Sequence, residues 1–166
     1  MIEEGDPAPD FTVPVAGGEA YNDVGEFTLS EHVGNGPVVL AFFPAAFTSG
    51  CTEELCTFRD SLGAFEAVDA SVYGISTDLP FAQNEFIRQE GLTFPLLSDY
   101  DHEAIEAYDV VLEGFYDVMS VAERAVFVID DDGTVAYRWV RDGENPDFEQ
   151  LVSEVRDAVE SAARPS

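Results

Sequence analysis

The chain has 166 residues and a formal net charge of −27, and its seven basic residues are all arginines. This length predicts one domain, residues 1–166, with a full hydrophobic core, while so acidic a composition argues against binding to nucleic-acid phosphates or anionic membranes. Apolar runs are too short for a membrane span and the acidic N-terminus does not resemble a secretory signal, so we expect a cytoplasmic location.

The negative charge is most simply explained by a salty environment. Charges of one sign repel each other and destabilise a compact chain in dilute buffer. At molar salt the Debye length falls to about 3 Å, so this repulsion is largely screened. We interpret the composition as halophilic; a nucleic-acid mimic or a cation-binding surface is the functional alternative.

The chain begins with two short predicted strands, at residues 11–15 and 26–29, separated by turn residues. Pro14 removes a backbone donor from the first strand, which favours an edge position. A brief helical turn follows at 30–33, with Ser30 as its N-cap. These elements predict an N-terminal β-hairpin extension.

An unbroken apolar run at residues 38–43 predicts a buried central strand. Beyond it the apolar residues recur at spacings of three and four, as on one face of a helix: Leu55, Phe58, Leu62, Phe65 and Val68. Cys51 falls in the first turn of that helix, where backbone N–H groups are unpaired and the helix dipole favours an anion. A helix N-terminus lowers the pKa of a cysteine thiol, so we expect Cys51 to be a good nucleophile at neutral pH.

The rest of the chain alternates strands and helices and then forms a hairpin. We predict a strand at 71–77 and then a helix that starts at residues 78–80, turns Phe81, Phe86 and Ile87 inward, and ends before Gly91. A strand at 94–97, a helix at 101–108 and a loop at 110–123 follow. The last predicted elements are two strands, at 124–129 and 134–140, around a tight turn, and a final helix at 147–162. This order predicts an α/β chain with a thioredoxin-like fold, in which helices flank a mixed central sheet.

Three residues near the end of the central strand, Pro44, Thr48 and Cys51, form the pattern Pro-x-x-x-Thr-x-x-Cys. With its flanks, this pattern resembles the active-site signature of the peroxiredoxins, the alkyl hydroperoxide reductase/thiol-specific antioxidant superfamily. Residues 93–99 and 124–130 also resemble peroxiredoxin blocks, so the similarity covers nearly the whole chain. It extends to two branches, that of the bacterioferritin comigratory protein and the AhpE-like, one-cysteine branch.

The resemblance implies a thiol-dependent peroxidase that reduces hydrogen peroxide and organic hydroperoxides without a cofactor or metal. Cys51 is then the peroxidatic cysteine, oxidised to a sulfenic acid. Thr48 hydrogen-bonds the thiolate or the peroxide, Pro44 closes the pocket floor, and Arg124 supplies positive charge. The alternative for Arg124 is an ordinary surface arginine. The implied reductant is a thioredoxin-like dithiol protein or a small thiol, and relatives of this similarity occur as monomers and as homodimers.

Two further residues have open roles. The resemblance to the bacterioferritin comigratory protein branch makes Cys56 the resolving cysteine, which forms an intramolecular disulfide with Cys51; in the one-cysteine branch this position is not cysteine, and Cys56 is then an apolar filler. Five residues rise about 7.5 Å along a helix and turn roughly 140°, so the disulfide requires the helix to unwind. Glu54 either orients a pocket arginine or stabilises the helix dipole.

Two other kinds of function are disfavoured. His32 and His102 do not stand in ligand spacing with the cysteines, so we expect no zinc site. The chain has no Cys-x-x-Cys motif, which argues against a thioredoxin-type disulfide exchanger. A thioredoxin-fold binding or chaperone module with structural cysteines is the non-enzymatic alternative.

Overall fold

The computed structural model describes residues 2–163. Its strands are β1 (Thr12–Ala16), β2 (Val24–Thr28), β3 (Val38–Phe42), β4 (Ser71–Ser76), β5 (Leu96–Ser98), β6 (Val111–Phe115), β7 (Met119–Ala122), β8 (Ala125–Ile129) and β9 (Val135–Val140). Its helices are α1 (Ser49–Asp60), α2 (Leu62–Glu66), α3 (Pro80–Glu90), α4 (Glu103–Ala107) and α5 (Phe148–Ala163), with a 3-10 turn at Leu29–Glu31.

Seven strands form a mixed sheet in the order β2-β1-β5-β4-β3-β8-β9. The predicted central strand is confirmed as β3, which is parallel to β4 and antiparallel to β8 and is buried along its whole length. Successive β3 side chains enter two different cores: Val39 and Ala41 join one, and Val38, Leu40 and Phe42 join the other. Both faces of the sheet are therefore covered, as the predicted fold requires.

Helices close both cores. Residues of α1, α3 and α5 contribute to the first core, while Ala104 and Ile105 of α4 contribute to the second. The predicted helix after β3 is broken at Ser61 into α1, which ends at Asp60, and α2, which ends at Glu66, so Val68 lies beyond both helices. Within residues 2–163, no helix combines the length and the apolar character that crossing a membrane requires.

The N-terminal hairpin joins the sheet through its first strand. The prediction that this strand is an edge strand is wrong: β1 pairs with β2 on one side and β5 on the other, and β2 is the edge. Because the β1–β5 pairing includes only Val15 and Ala16 of β1, Pro14 lies outside it and its missing N–H costs that pairing nothing.

The segment 110–123, predicted as a loop, is instead the antiparallel hairpin β6–β7. Gly114, Tyr116 and Asp117 have positive φ values of 76°, 50° and 65°, and the pairing shifts register between Leu112 and Phe115. These irregularities, together with the exposure of most side chains in β6, remove the alternating pattern that identifies a strand.

Phe81 does not face inward as predicted. It is 52% exposed, whereas Phe86 and Ile87 on the same helix are buried. Five residues turn roughly 140° around a helix, so Phe81 and Phe86 lie on different sides of α3. The predicted end of this helix is confirmed at Gly91, which adopts the left-handed conformation with φ 63°.

Strand register brings the site together. The end of β3 lies beside the start of β8, where Phe42 is opposite Ala125, and Ala125 is also opposite Val140 at the end of β9. The loop from β3 into α1, the residue before β8 and the loop from β9 into α5 therefore meet at one edge of the sheet.

Candidate active site

Cys51 is the third residue of α1 and is 1% exposed. The Thr48 side chain, at the N-cap position, makes no capping hydrogen bond, and its carbonyl accepts bonds from the Thr52 backbone N–H (2.9 Å) and hydroxyl (2.8 Å). The earlier N–H groups of an α-helix have no intrahelical acceptor. The first turn of α1 thus presents unsatisfied backbone donors next to the thiol.

The loop that leads into α1 is held by contacts at both ends. Pro44 is buried, and the Ala46 N–H donates to Asp78 Oδ2 at 2.8 Å. Phe47 has a φ of 69°, which is strained for a bulky side chain, and its ring contacts Phe86 edge-on with 5.2 Å between centroids. The Thr48 hydroxyl donates to the Ala45 carbonyl at 2.8 Å. The turn into α1 therefore depends on residues that are distant in the sequence: Asp78, which precedes α3, and Phe86, which lies within α3.

Arg124 lies directly before β8 and is 3% exposed, so the surface-arginine alternative is wrong. Its Nη2 is 3.3 Å from Cys51 Sγ, and its Nη1 is 2.6 Å from Glu54 Oε1. The guanidinium lies over the Phe148 ring, 5.4 Å from the centroid. Although burial opposes it, the charges of Glu54 and Cys51 raise the pKa of Arg124, so this residue stays a cation.

Glu54 is fully buried in α1, one turn after Cys51. Its Oε1 accepts from Arg124, while its Oε2 has no hydrogen-bond partner within the described part of the chain. Burial raises the pKa of Glu54 to about 7, against the opposing charges of Arg124 and Arg141. Of the two predicted roles, the geometry matches orientation of a pocket arginine.

Cys56 lies outside this cluster. It is half-buried further along α1, and its sulfur is 3.9 Å from Glu90 Oε1. Burial is the main cause that raises the pKa of Cys56. The Glu90 carboxylate raises this pKa further, whereas the positive charge of Arg59 lowers it. Both cysteines are free thiols. The structure thus brings Cys51, Arg124 and Glu54 together and leaves Cys56 in a separate environment.

Sequence reasoning missed two residues at this site. Asn145, in the loop between β9 and α5, accepts hydrogen bonds through Oδ1 from Arg124 Nε (3.1 Å) and Arg141 Nη1 (2.9 Å). Arg141 also donates to Glu123 Oε1 at 2.8 Å. Neither residue belongs to a periodic pattern or a motif; only the adjacency of β9 and β8 places them here. In residues 2–163, no cluster of His, Cys, Asp and Glu is arranged to hold a metal ion.

Known proteins share both the sequence and the fold. The model of the AhpC/TSA family matches residues 4–138. Peroxiredoxin Bcp of Bacillus subtilis (strain 168) is 36% identical over 140 residues, which are 83% of this chain and 85% of that protein. Peroxidoxin BcpB of Mycobacterium tuberculosis has a crystal structure with a TM-score of 0.82 and 32% identity, covering 97% of this chain and 98% of its own.

A third comparison is with the bacterioferritin comigratory protein of Xanthomonas campestris, whose structures address its alkyl peroxide reduction activity. It has a TM-score of 0.80 and 26% identity, and the match covers 99% of both chains. The family model spans most of this chain, and the relatives match it over most of their own lengths. The chain therefore belongs to the AhpC/TSA family and is a thiol peroxidase of the Bcp branch of the peroxiredoxins.

Proposed function

We propose that Cys51 is the peroxidatic cysteine, and that it reduces hydrogen peroxide and organic hydroperoxides with Arg124, Thr48 and Pro44 shaping its pocket. The observation that carries this proposal is the 3.3 Å contact between Arg124 Nη2 and Cys51 Sγ. A buried, permanently charged guanidinium beside a thiol stabilises the thiolate, which is the nucleophilic form. The alkyl peroxide reduction activity described for the Xanthomonas campestris relative supports the organic substrates.

The reaction balances with these groups. The Cys51 thiolate attacks one oxygen of the peroxide, a sulfur–oxygen bond forms, and the O–O bond breaks. Sulfur is oxidised to a sulfenic acid, and the other oxygen leaves as an alkoxide or hydroxide that takes up a proton. Arg124 and the unpaired N–H groups of the first turn stabilise the charge on the leaving oxygen. The Thr48 hydroxyl gives its hydrogen to Ala45, so its oxygen remains an acceptor for the peroxide O–H.

Cys56 then acts as the resolving cysteine. Cys56 loses its proton and its thiolate attacks the sulfenic sulfur of Cys51; the sulfur–oxygen bond breaks, a disulfide forms, and the leaving hydroxide takes up the proton as water. Since both cysteines lie in α1, five residues apart, α1 must unwind for the sulfurs to meet. One feature supports this: the first turn lacks a side-chain cap. In the folded helix, burial and the Glu90 carboxylate raise the pKa of Cys56, which disfavours its thiolate until α1 unwinds. Unwinding frees Cys56 from both the buried setting and the Glu90 carboxylate.

A dithiol protein of the thioredoxin type would complete the cycle by reducing the disulfide through a mixed disulfide. We infer that the enzyme works in a salty cytoplasm, which its net charge of −27 supports.

We also infer a homodimer packed beside the active-site loops, since Phe47, Leu79 and Phe81 are each about half exposed there. Molar mass in solution at molar salt tests the assembly.

Intact mass after one equivalent of hydrogen peroxide, with and without a sulfenic-acid trap, tests the cysteine roles. We expect the wild type to lose two hydrogens rapidly, and Cys56→Ser to give a trapped sulfenic acid at Cys51. Cys51→Ser should remove peroxidase activity while leaving the fold intact; retained activity would refute Cys51 as the nucleophile. A wild type that accumulates sulfenic acid with Cys56 still free would be a one-cysteine enzyme that depends on an external thiol.

A further inference from the structure

Asn145 and Glu54 hold the Arg124 side chain through different nitrogens of its guanidinium. Its Oδ1 accepts from Arg124 Nε at 3.1 Å, while Arg124 Nη1 donates to Glu54 and Nη2 faces Cys51. A guanidinium is planar and rigid, so contacts at its separate nitrogens determine its orientation as well as its position. With the Glu54 contact alone, the plane can pivot about Nη1; the Asn145 contact at Nε removes that freedom.

Asn145 is itself held in place by a closed ring of contacts. Arg141 donates through Nη1 to Asn145 Oδ1 (2.9 Å) and through Nη2 to Glu123 Oε1 (2.8 Å). The same Glu123 oxygen accepts the backbone N–H of Arg124 at 2.7 Å, and the Arg141 N–H donates to the Arg124 carbonyl at 2.9 Å. The ring Arg124–Asn145–Arg141–Glu123 thus ties an exposed loop residue to the start of β8.

The nature of the acceptor matters as well as its place. The charged groups that face the Arg124 guanidinium are Glu54 and Cys51 from α1, with Arg141 and Glu123 on the far side of Asn145. An amide oxygen accepts hydrogen bonds from both guanidinium groups without adding a negative charge. The positive charge of Arg124 therefore remains available to Cys51.

Gly50 leaves room for this arrangement. A Cβ atom at that position would lie 2.9 Å from Asn145 Nδ2 and 3.2 Å from Arg124 Nη2. Both contacts are closer than carbon and nitrogen normally approach, so any side chain there would push the amide and the guanidinium away from the first turn of α1. The residue before Cys51 thus has a steric reason to be glycine.

From these contacts we propose that Asn145 is a positioning residue of the peroxidase, whose amide oxygen sets the orientation in which Arg124 presents Nη2 to Cys51. The inference rests on the proposed role of Cys51 and Arg124. It predicts that Asn145 controls the reactivity of the thiol although it lies on an exposed loop.

The test uses Asn145→Ala and Asn145→Asp in a Cys56→Ser background, so that only the first oxidation is observed. The rate constant of Cys51 oxidation by hydrogen peroxide is measured in single turnover across the neutral pH range. Asn145→Ala should slow the reaction by roughly tenfold or more at neutral pH, since a hydrogen bond to a charged group is lost. Asn145→Asp keeps the acceptor but adds negative charge, so its pH–rate profile should shift to higher pH and recover most of the wild-type rate on the alkaline side.

Matched variants separate positioning from damage to the loop. Glu144→Ala changes the exposed neighbour of Asn145 and should leave the rate unchanged. Gly50→Ala leaves Asn145 chemically intact but should also slow oxidation, because its added Cβ displaces both the Asn145 amide and the Arg124 guanidinium. The proposal is overturned if the rate constant of Asn145→Ala lies within about twofold of the wild-type value, because loss of the hydrogen bond predicts a decrease of about tenfold. Equal losses in Asn145→Ala and Asn145→Asp with an unshifted pH profile also overturn it. A wild type in which Cys51 does not react would refute the proposed function instead.

Discussion

Glu54 and Arg124 form an ion pair with 2.6 Å between Oε1 and Nη1, and their side chains are 0% and 4% exposed. Such a pair is a poor source of stability, because removing two charges from water offsets most of their attraction. Its value at this site is geometric: Glu54 holds the guanidinium that also contacts Cys51. In the proposed mechanism the pair therefore orients Arg124 for the reaction, at some expense to the stability of the fold.

Removing one partner should cost more stability than removing both. Arg124→Met leaves a buried carboxylate without its cation, so we expect the free energy of unfolding to fall by about 3 kcal/mol or more above neutral pH. Arg124→Met with Glu54→Leu should recover much of that loss, while both variants lose peroxidase activity. Urea unfolding at molar salt measures the stabilities. If the double variant is no more stable than Arg124→Met, the unpaired Glu54 carboxylate is not the cause of the lost stability.

Glu54 should also give the protein a specific pH dependence. Burial raises its pKa to about 7 from an ordinary 4.5, so between these pH values the folded protein holds a proton that the unfolded chain has released. Stability from this group is therefore greatest at low pH and falls as pH rises through the window. Glu54→Gln removes this titration.

The stability of Glu54→Gln relative to wild type should accordingly increase between about pH 4.5 and 7 and then stay constant. The total change should be on the order of 3 kcal/mol, from the shift in pKa. Unfolding free energies at several pH values measure it, and Glu53→Gln, at the exposed preceding position, is the matched control. A flat difference would show that the charge of Arg124 cancels the effect of burial on the pKa of Glu54, and a difference that falls with pH would show that Arg124 outweighs burial.

The site divides into parts that the sequence predicts and parts that it does not. Cys51 in a first helical turn follows from local periodicity, because an apolar strand and a helix face bracket it within a few residues. The presence of Asn145 at the site cannot be predicted from local periodicity, because its contact with Arg124 depends on the register of β3, β8 and β9. The burial of Arg124 needed the family resemblance, because charge reasoning alone left a surface position equally acceptable.

The errors in the fold have the same origin. Pro14 indicated an edge strand, but whether a strand lies at an edge depends on which distant segment pairs with it, and β5 returns to cover β1. The β6–β7 hairpin was missed because Gly114 and Tyr116 bend an exposed ladder that buries too little to show a period. Local patterns predict elements; pairing partners are decided by packing across the whole sheet.

Resolution by Cys56 should depend on the helical stability of α1. Thr57 follows Cys56 directly, and its hydroxyl donates to the Glu53 carbonyl at 2.7 Å. Thr57→Ala should strengthen the helix and slow disulfide formation about twofold to threefold, while Thr57→Gly should weaken it and accelerate disulfide formation about twofold.

Neither Thr57 variant should change the rate at which peroxide oxidises Cys51, because that step occurs in the folded helix. Stopped-flow oxidation followed by mass analysis separates the two rates. Equal disulfide rates in both variants, or changes in the same direction, would mean that unwinding of α1 does not limit resolution.

The net charge of −27 should make stability strongly dependent on salt. The Debye length falls from about 10 Å at 0.1 M salt to about 3 Å at 1 M, which screens repulsion between surface carboxylates. We expect the free energy of unfolding at neutral pH to rise steeply over this range of potassium chloride. Near the sequence pI of 4.1 the same salt should have little effect, because the net charge is then close to zero.

The active site should respond differently from the surface. The contacts of Arg124 with Cys51 and Glu54 are buried, and buried pairs are screened far less than exposed ones. The single-turnover rate of Cys51 with hydrogen peroxide, an uncharged substrate, should therefore stay nearly constant over salt concentrations at which the protein remains folded. A rate that rises in parallel with stability would mean that salt orders the site itself, and that the Arg124 contacts form only when the acidic surface is screened.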